Sequence, residues 1–154
     1  MIPARLLARG PETFSHDSLD DGPAAGVLAV DDQPAFLGAV RELVGATRGM
    51  VVVAEARSGE RAVELAEQLK PDLVLMDVRM PGIGGAAAAR EIKESSPSTI
   101  VALISATPPE DLAPETATAR ADALIWKSDL RPRMLEEIWQ RYRPRRANET
   151  LTEG

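Results

Sequence analysis

Five side chains with the chemistry of a metal and anion site follow short apolar runs of the sequence. Asp31 and Asp32 come directly after one run, Asp77 after another, and Ser105 and Lys127 after two more. Taken singly, each has a simpler reading: a helix cap for the acidic pair, a turn residue for Asp77, and a cap or solvated residue for Ser105 and Lys127. Their joint placement at the ends of successive runs favours one shared site.

Carboxylates placed close together raise one another's pKa, so a cluster of three predicts a compensating cation. With oxygen ligands only and room for water, Mg²⁺ is the natural ion and Mn²⁺ the alternative. Asp77 can then act as a nucleophile toward a phosphoryl donor and form an aspartyl phosphate. Lys127 would share with the metal the neutralisation of the phosphoryl oxygens, and Ser105 would donate a hydrogen bond to one of them.

The apolar runs are the predicted strands that position these residues. They span residues 27–30, 51–54, 73–76, 99–104 and 123–126, and stretches with helical spacing separate them. Continuous apolar runs are typical of parallel strands that are covered on both faces. Repeated βαβ units therefore predict an α/β fold with a doubly wound parallel sheet in three layers, in which ligands bind beyond the carboxyl ends of the strands.

Two of the predicted helices have marked ends. Ser58 is placed to cap the second helix, and Lys70-Pro71 ends it before the third strand. Pro108-Pro109 can begin the fourth helix, but Pro114 would break or kink it after barely a turn. The sequence therefore predicts a short or mobile fourth helix.

Composition limits the partners and the domain organisation. The net charge of −6 argues against nucleic-acid binding by this segment, and the absence of cysteine excludes disulfides and thiolate sites. The apolar run in the opening residues is too short and too interrupted for a signal peptide or a membrane span. We therefore expect a cytoplasmic protein. We expect a flexible leader over residues 1–25, one folded domain over 26–142, and a tail or the start of a linker over 143–154.

Four segments resemble the signature segments of bacterial response-regulator receiver domains. These are Val30-Asp31-Asp32-Gln33-Pro34, Leu75-Met76-Asp77-Val78-Arg79-Met80-Pro81-Gly82, Ile104-Ser105-Ala106 and Trp126-Lys127-Ser128. The resemblance runs from about Gly26 to Tyr142 and is strongest to receivers that precede a helix-turn-helix DNA-binding domain. It implies a flavodoxin-like five-stranded sheet with strand order 2-1-3-4-5.

The resemblance also implies roles for the individual residues. Asp77 would be the phosphorylated residue, and Asp31, Asp32, Asp77 and the backbone carbonyl of Arg79 would hold Mg²⁺. Ser105 and Lys127 would contact the phosphoryl group. The donor would be a sensor histidine kinase or a phosphotransfer protein.

The sequence departs from the family pattern on the side that transmits the signal. Leu124 stands where the family usually has Tyr or Phe, while Trp126 lies on the same side of the strand and either replaces that ring or packs against the last helix. The resemblance implies that the face formed by the fourth helix, fifth strand and fifth helix transmits the phosphorylation state, and this face is the candidate surface for a homodimer. Arg79 and Thr107 occupy the positions that influence autodephosphorylation, and neither side chain would position a water, so we expect slow hydrolysis.

Three functions are compatible with these observations. The first is a signalling switch controlled by phosphorylation, which is a phosphoryl acceptor and not an enzyme in the usual sense. The second is a metal-dependent phosphohydrolase, but such an enzyme needs a second acid or base and a substrate pocket, for which the sequence gives no sign. The third is a binding module that keeps the fold and works without phosphorylation. The complete acidic, hydroxyl and lysine set favours the first.

Overall fold

Five parallel strands alternate with five helices in the part of the chain that the structure, a computed structural model, describes: residues 23–112, 114–117 and 119–144. The strands are β1 (Ala25–Val30), β2 (Met50–Ala56), β3 (Leu73–Asp77), β4 (Ile100–Ser105) and β5 (Ala123–Trp126). The helices are α1 (Pro34–Gly45), α2 (Gly59–Leu69), α3 (Gly84–Ser95), α4 (Pro114–Ala117) and α5 (Pro132–Tyr142). The leader predicted over 1–25 and the tail predicted over 143–154 lie almost entirely outside the described residues.

The strands form one sheet in the order β2-β1-β3-β4-β5, and every neighbouring pair is parallel. The predicted fold class and strand order are confirmed. The register aligns the carboxyl ends of the central strands, since Asp77 lies opposite Ile104 and Ser105 lies opposite Trp126. Polar residues at these ends therefore share one rim of the sheet.

Apolar side chains cover both faces of the central strands, as the continuous runs predict. On one face they pack against α1 and α5, and on the other against α2 and α3. The first cluster includes Val27, Ala29, Leu37, Leu75 and Ile138, and the second includes Leu28, Ala62, Val74, Ala88 and Ile92. The sheet is therefore held rigidly between two helical layers, which fixes the positions of its strand ends.

Strand β2 departs from the prediction that all five runs are covered on both faces. It lies at the edge of the sheet, and Val51 and Val53 are 46% and 48% exposed. Its pairing with β1 shifts register between Val27 and Leu28, so that Val53 has no partner in the ladder. Such an irregularity is common on edge strands, where it hinders pairing with another chain.

The predicted ends of α2 are confirmed. The hydroxyl oxygen of Ser58 accepts a hydrogen bond from the Arg61 backbone N–H at 3.1 Å, and α2 ends at Leu69, before Lys70 adopts a left-handed conformation with φ of 49°. The fourth helix is short as predicted, since α4 has only four residues, but the predicted role of Pro114 is wrong: it begins α4, and Pro109–Asp111 form a separate 3-10 turn. Proline suits the first position of a helix because its missing N–H is not needed there. No helix within the described ranges has the length and hydropathy needed to cross a membrane.

The carboxylates at the amino-terminal rim of the sheet are hydrogen-bonded. Asp72 accepts from the Gly26 backbone N–H at 2.7 Å. Asp122 accepts from the Val101 N–H at 2.9 Å and from the Lys93 ammonium at 2.9 Å. These acids join the starts of the strands to one another and to α3, so their role is structural.

Gly85, in the first turn of α3, makes the closest approach to the end of β3. Its N–H donates to the Val78 carbonyl at 3.0 Å, and a Cβ at this position would lie 2.9 Å from Val78 Cα and overlap the carbonyl oxygen of Asp77. A side chain here would therefore displace the backbone that carries Asp77.

We expect Gly85→Ala to lower the free energy of unfolding by about 1–3 kcal/mol, because the added methyl group has no space beside β3. Urea unfolding monitored by circular dichroism measures the change. Gly45→Ala at the end of α1 is the matched control, since a Cβ there meets no atom within 4 Å. Equal effects of the two substitutions would contradict the close packing at Gly85.

Candidate functional site

The residues predicted to hold the metal, contact the phosphoryl group or influence hydrolysis line one open cleft of about 660 Å³ at the carboxyl rim of the sheet, whereas the switch positions Leu124 and Trp126 do not. Each reaches the cleft because of where its strand ends: Asp31 follows β1, Asp77 and Ser105 are the last residues of β3 and β4, and Lys127 follows β5. The residues lining the cleft include Asp31, Asp32, Asp77, Arg79, Ser105, Thr107 and Lys127. The structure therefore brings together residues that are far apart in the sequence.

Three carboxylates form the floor of the cleft. One oxygen from each of Asp31, Asp32 and Asp77 lies within 4.8 Å of the others. Asp31 and Asp77 are buried and Asp32 is half-buried. Oδ1 of Asp31 accepts a hydrogen bond from the Gln33 N–H at 2.9 Å, whereas its Oδ2 is buried without a hydrogen-bond partner. A buried carboxylate oxygen that accepts no hydrogen bond and lies beside two other carboxylates fits a hard divalent cation such as Mg²⁺ or Mn²⁺.

Lys127 supplies the positive charge nearest to these carboxylates. Its Nζ lies 3.6 Å from Oδ2 of Asp31 and 3.6 Å from Oδ1 of Asp77. These distances are too long for good hydrogen bonds, so the ammonium acts on both acids mainly through its charge. Nζ also lies 4.1 Å from the centre of the Phe36 ring, which provides a cation–π contact. The sequence pattern did not indicate this contact.

Burial raises the pKa of Asp77 from 3.8 to about 6, and the negative charge of Asp31 adds to the increase. The positive charge of Lys127 acts in the opposite direction but does not offset the loss of water. Ionised Asp77 is therefore costly without a cation, and a bound divalent ion would favour the ionised, nucleophilic form.

Ser105 makes its hydrogen bonds with Thr107. The Ser105 hydroxyl donates to the Thr107 carbonyl at 2.8 Å and accepts from the Thr107 N–H at 3.0 Å, and its Oγ lies 3.0 Å from Thr107 Oγ1. Sequence reasoning assigned Thr107 only an influence on hydrolysis. The spacing of a serine two residues before a threonine is compatible with such a local turn, which could have indicated this contact.

Arg79 lies on the segment between β3 and α3, and its side chain is exposed at the mouth of the cleft. This segment begins directly after Asp77 and returns to the end of β3 through the Gly85–Val78 hydrogen bond. The connection therefore holds the Arg79 backbone close to the acidic cluster.

Leu124 and Trp126 lie on the same side of β5, as strand alternation predicts. Ala123 and Ile125 face the cluster that contains α5, whereas Leu124 packs against the cluster on the other face. The Trp126 indole N–H donates to the Ala106 carbonyl at 3.4 Å. Trp126 thus contacts the segment after β4, and the alternative that it packs against the last helix is wrong because α5 covers the opposite face.

Comparisons with known proteins give consistent results. Residues 27–139 match the family model described as the response regulator receiver domain. The nitrate/nitrite response regulator protein NarL of Escherichia coli (strain K12) is 34% identical over 108 residues, which cover 70% of this chain and 50% of that protein. The chain thus spans about half the length of this curated relative.

Solved structures give the same result. The response regulator domain of Thermotoga maritima CheB superposes with a TM-score of 0.67 at 31% identity, covering 76% of this chain and 95% of that one. A two-component response regulator of the LuxR family from Aurantimonas sp. SI85-9A1 superposes with a TM-score of 0.69 at 28% identity, covering 83% and 94%.

The raised pKa of Asp77 predicts a pH-dependent stability of the metal-free protein. Because the pKa is higher in the folded state, ionised Asp77 destabilises the fold fully above about pH 6, and this cost fades as the pH falls to about 4. Asp77→Asn should therefore be more stable than the wild type at pH 8 in EDTA, by about 1–3 kcal/mol. The advantage should shrink steadily toward about pH 4 in urea titrations. A difference that does not depend on pH would contradict the burial of a charged Asp77.

Proposed function

The chain belongs to the family of response regulator receiver domains of two-component signalling systems, and from this we propose that it accepts a phosphoryl group on Asp77 with the help of Mg²⁺. The observation that carries the proposal is the charge arrangement in the cleft. Oxygens of Asp31, Asp32 and Asp77 lie within 4.8 Å of one another, and Lys127 Nζ is equidistant from two of these acids. An ion pair with a purely structural role would balance one carboxylate against one ammonium, whereas here three carboxylates lie close to the single ammonium of Lys127.

The residues that would hold Mg²⁺ are Asp31, Asp32, Asp77 and the backbone carbonyl of Arg79, with Mn²⁺ as an alternative ion. Oδ2 of Asp31 supports this assignment, since it is buried and accepts no hydrogen bond, and the Lys127 ammonium lies 3.6 Å away. When bound, the ion would neutralise the carboxylates and the charge of the phosphoryl oxygens.

Phosphoryl transfer to Asp77 would form one bond to phosphorus and break another. An oxygen of ionised Asp77 forms a bond to phosphorus while the P–N bond to the donor imidazole breaks. The imidazole nitrogen keeps the electron pair and takes a proton from solvent. The donor would be a phosphohistidine of a sensor histidine kinase or of a phosphotransfer protein.

Lys127 and Ser105 would stabilise the product. The ammonium of Lys127 is attached to a flexible side chain and already lies between Asp31 and Asp77, so a small movement would pair it with a phosphoryl oxygen. Ser105 would have to release Thr107 before its hydroxyl could donate to the phosphoryl group. Phosphorylation therefore competes with a local hydrogen bond at the end of β4.

Incubation with acetyl phosphate and Mg²⁺ should add the mass of one phosphate to the wild type and none to Asp77→Ala. Intact-mass spectrometry measures the gain, and omission of Mg²⁺ should abolish it. Asp111→Ala is the matched control, because Asp111 is exposed on the segment between β4 and α4 and lies outside the acidic cluster. Phosphate on Asp77→Ala, or none on the wild type, would refute Asp77 as the acceptor.

We also propose that Trp126 takes the place of the usual switch aromatic, since Leu124 has no ring. Ala106 lies between Ser105 and Thr107, so the rearrangement that frees the Ser105 hydroxyl moves the Ala106 carbonyl. The Trp126 indole N–H donates to this carbonyl and would lose or change that bond. The indole is half-buried at the end of β5 and is therefore free to change its environment.

Tryptophan fluorescence should report this change. The chain has two tryptophans, so Trp139→Phe leaves Trp126 as the reporter and Trp126→Phe leaves Trp139. Phosphorylation should alter the emission of Trp139→Phe clearly and that of Trp126→Phe much less. Identical emission before and after phosphorylation of Trp139→Phe, with the modification verified by mass, would exclude Trp126 as part of the switch.

A further inference from the structure

The amino terminus of α2 is in contact with the segment between β3 and α3. Oε2 of Glu60, in the first turn of α2, accepts a hydrogen bond from the Ile83 backbone N–H at 3.2 Å. Glu60 is exposed and does not line the cleft. It belongs neither to the apolar pattern nor to the signature segments, so the sequence did not indicate this contact.

Glycines make the close approach feasible. Gly82 has φ of +81°, and a Cβ there would lie 2.6 and 2.7 Å from the two carboxylate oxygens of Glu60. On the other side, a Cβ at Gly59 would lie 2.9 Å from the carbonyl oxygen of Gly84. A larger residue at Gly59 would push α2 away from the backbone of Gly84, and one at Gly82 would displace the Glu60 carboxylate from its position beside the segment.

The contact restrains the backbone that carries Arg79. Residues 78–83 leave the end of β3 at Asp77, and the Gly85 N–H to Val78 carbonyl bond closes this segment at its base. The bond from Ile83 to Glu60 ties the end of the segment that leads into α3 to α2, a helix that is packed on the sheet. Val78 and Met80 of the segment also pack against the apolar cluster that includes α2, so the Glu60 bond adds a polar restraint at the Ile83 end.

We propose that Glu60 is a positioning residue, which holds the segment 78–83 in the conformation that presents the Arg79 carbonyl to Mg²⁺ and so sets the affinity for the ion. The inference rests on the proposed function, since it assumes that the cleft binds Mg²⁺. Glu60 itself touches neither the ion nor the phosphoryl group. Its carboxylate acts through the backbone of the segment, and its place in the first helical turn favours its negative charge.

Amide hydrogen exchange of Ile83 in the metal-free protein tests whether Glu60 holds the segment. We expect Glu60→Ala to speed this exchange by about 3-fold to 10-fold, the effect of losing one exposed hydrogen bond. Glu64→Ala is the matched control: it removes the same charge from the same exposed helix surface, and Glu64 pairs with Arg61 at 2.8 Å. Unchanged exchange in Glu60→Ala, or equal acceleration in both variants, would overturn the proposal.

Isothermal titration with Mg²⁺ tests the consequence for the metal. We expect Glu60→Ala to weaken binding by about 3-fold to 10-fold, while Glu64→Ala matches the wild type. Glu60→Gln keeps an oxygen that can accept from Ile83, so its affinity should lie closer to that of the wild type than to that of Glu60→Ala. Wild-type affinity in Glu60→Ala, weakening in Glu64→Ala, or no recovery in Glu60→Gln would each overturn the proposal.

The two proposals fail in different ways. If the wild type bound no Mg²⁺, the proposed function and the metal effect of Glu60 would both be refuted. If the wild type bound Mg²⁺ and accepted phosphate on Asp77 but Glu60→Ala bound the ion equally well, only the positioning role would be lost. Urea unfolding of each variant establishes that the proteins compared are folded.

Discussion

The juxtaposition of Asp31 and Asp77 is the constraint on which the rest of the site depends. Two buried carboxylates beside each other are unfavourable, and Lys127 compensates for them only at 3.6 Å. At the opposite rim the same residue type is accommodated differently, since Asp72 and Asp122 accept hydrogen bonds at 2.7 and 2.9 Å. The sheet thus has one rim where acids stabilise the fold and one where they are held in an unfavourable arrangement that a cation can relieve.

Holding that arrangement requires a rigid frame, and this part of the structure was predictable from the sequence. The apolar runs have the length of strands, and the carboxyl ends of parallel strands necessarily meet at one rim, so the convergence of Asp31, Asp77 and Ser105 followed from pattern alone. The exposure of Val51 and Val53 did not. An apolar run looks the same in an edge strand as in a central one, and the difference depends on which strands lie beside it.

The contacts that tune the site were harder to predict for a physical reason. The Ser58 cap was predictable because donor and acceptor lie three residues apart, in a geometry that every helix start shares. The pairing of Lys127 with the Phe36 ring and that of Glu60 with the Ile83 N–H join segments that are distant in the sequence. Their formation depends on how helices settle on the sheet, which residue types and spacing do not specify.

The departure from the family pattern at Leu124 lies away from the acidic cluster, as does the single turn of α4. A buried ring that rotates is one way to couple β4 to β5. A hydrogen bond between the ends of the two strands is another. In this chain the Ser105 hydroxyl is engaged with Thr107, and the Ala106 carbonyl between them accepts from the Trp126 indole. In the proposed switch, a phosphoryl group that draws Ser105 away would disturb the backbone to which Trp126 is bonded. The coupling would pass through a backbone hydrogen bond and does not need a cavity for a ring at position 124.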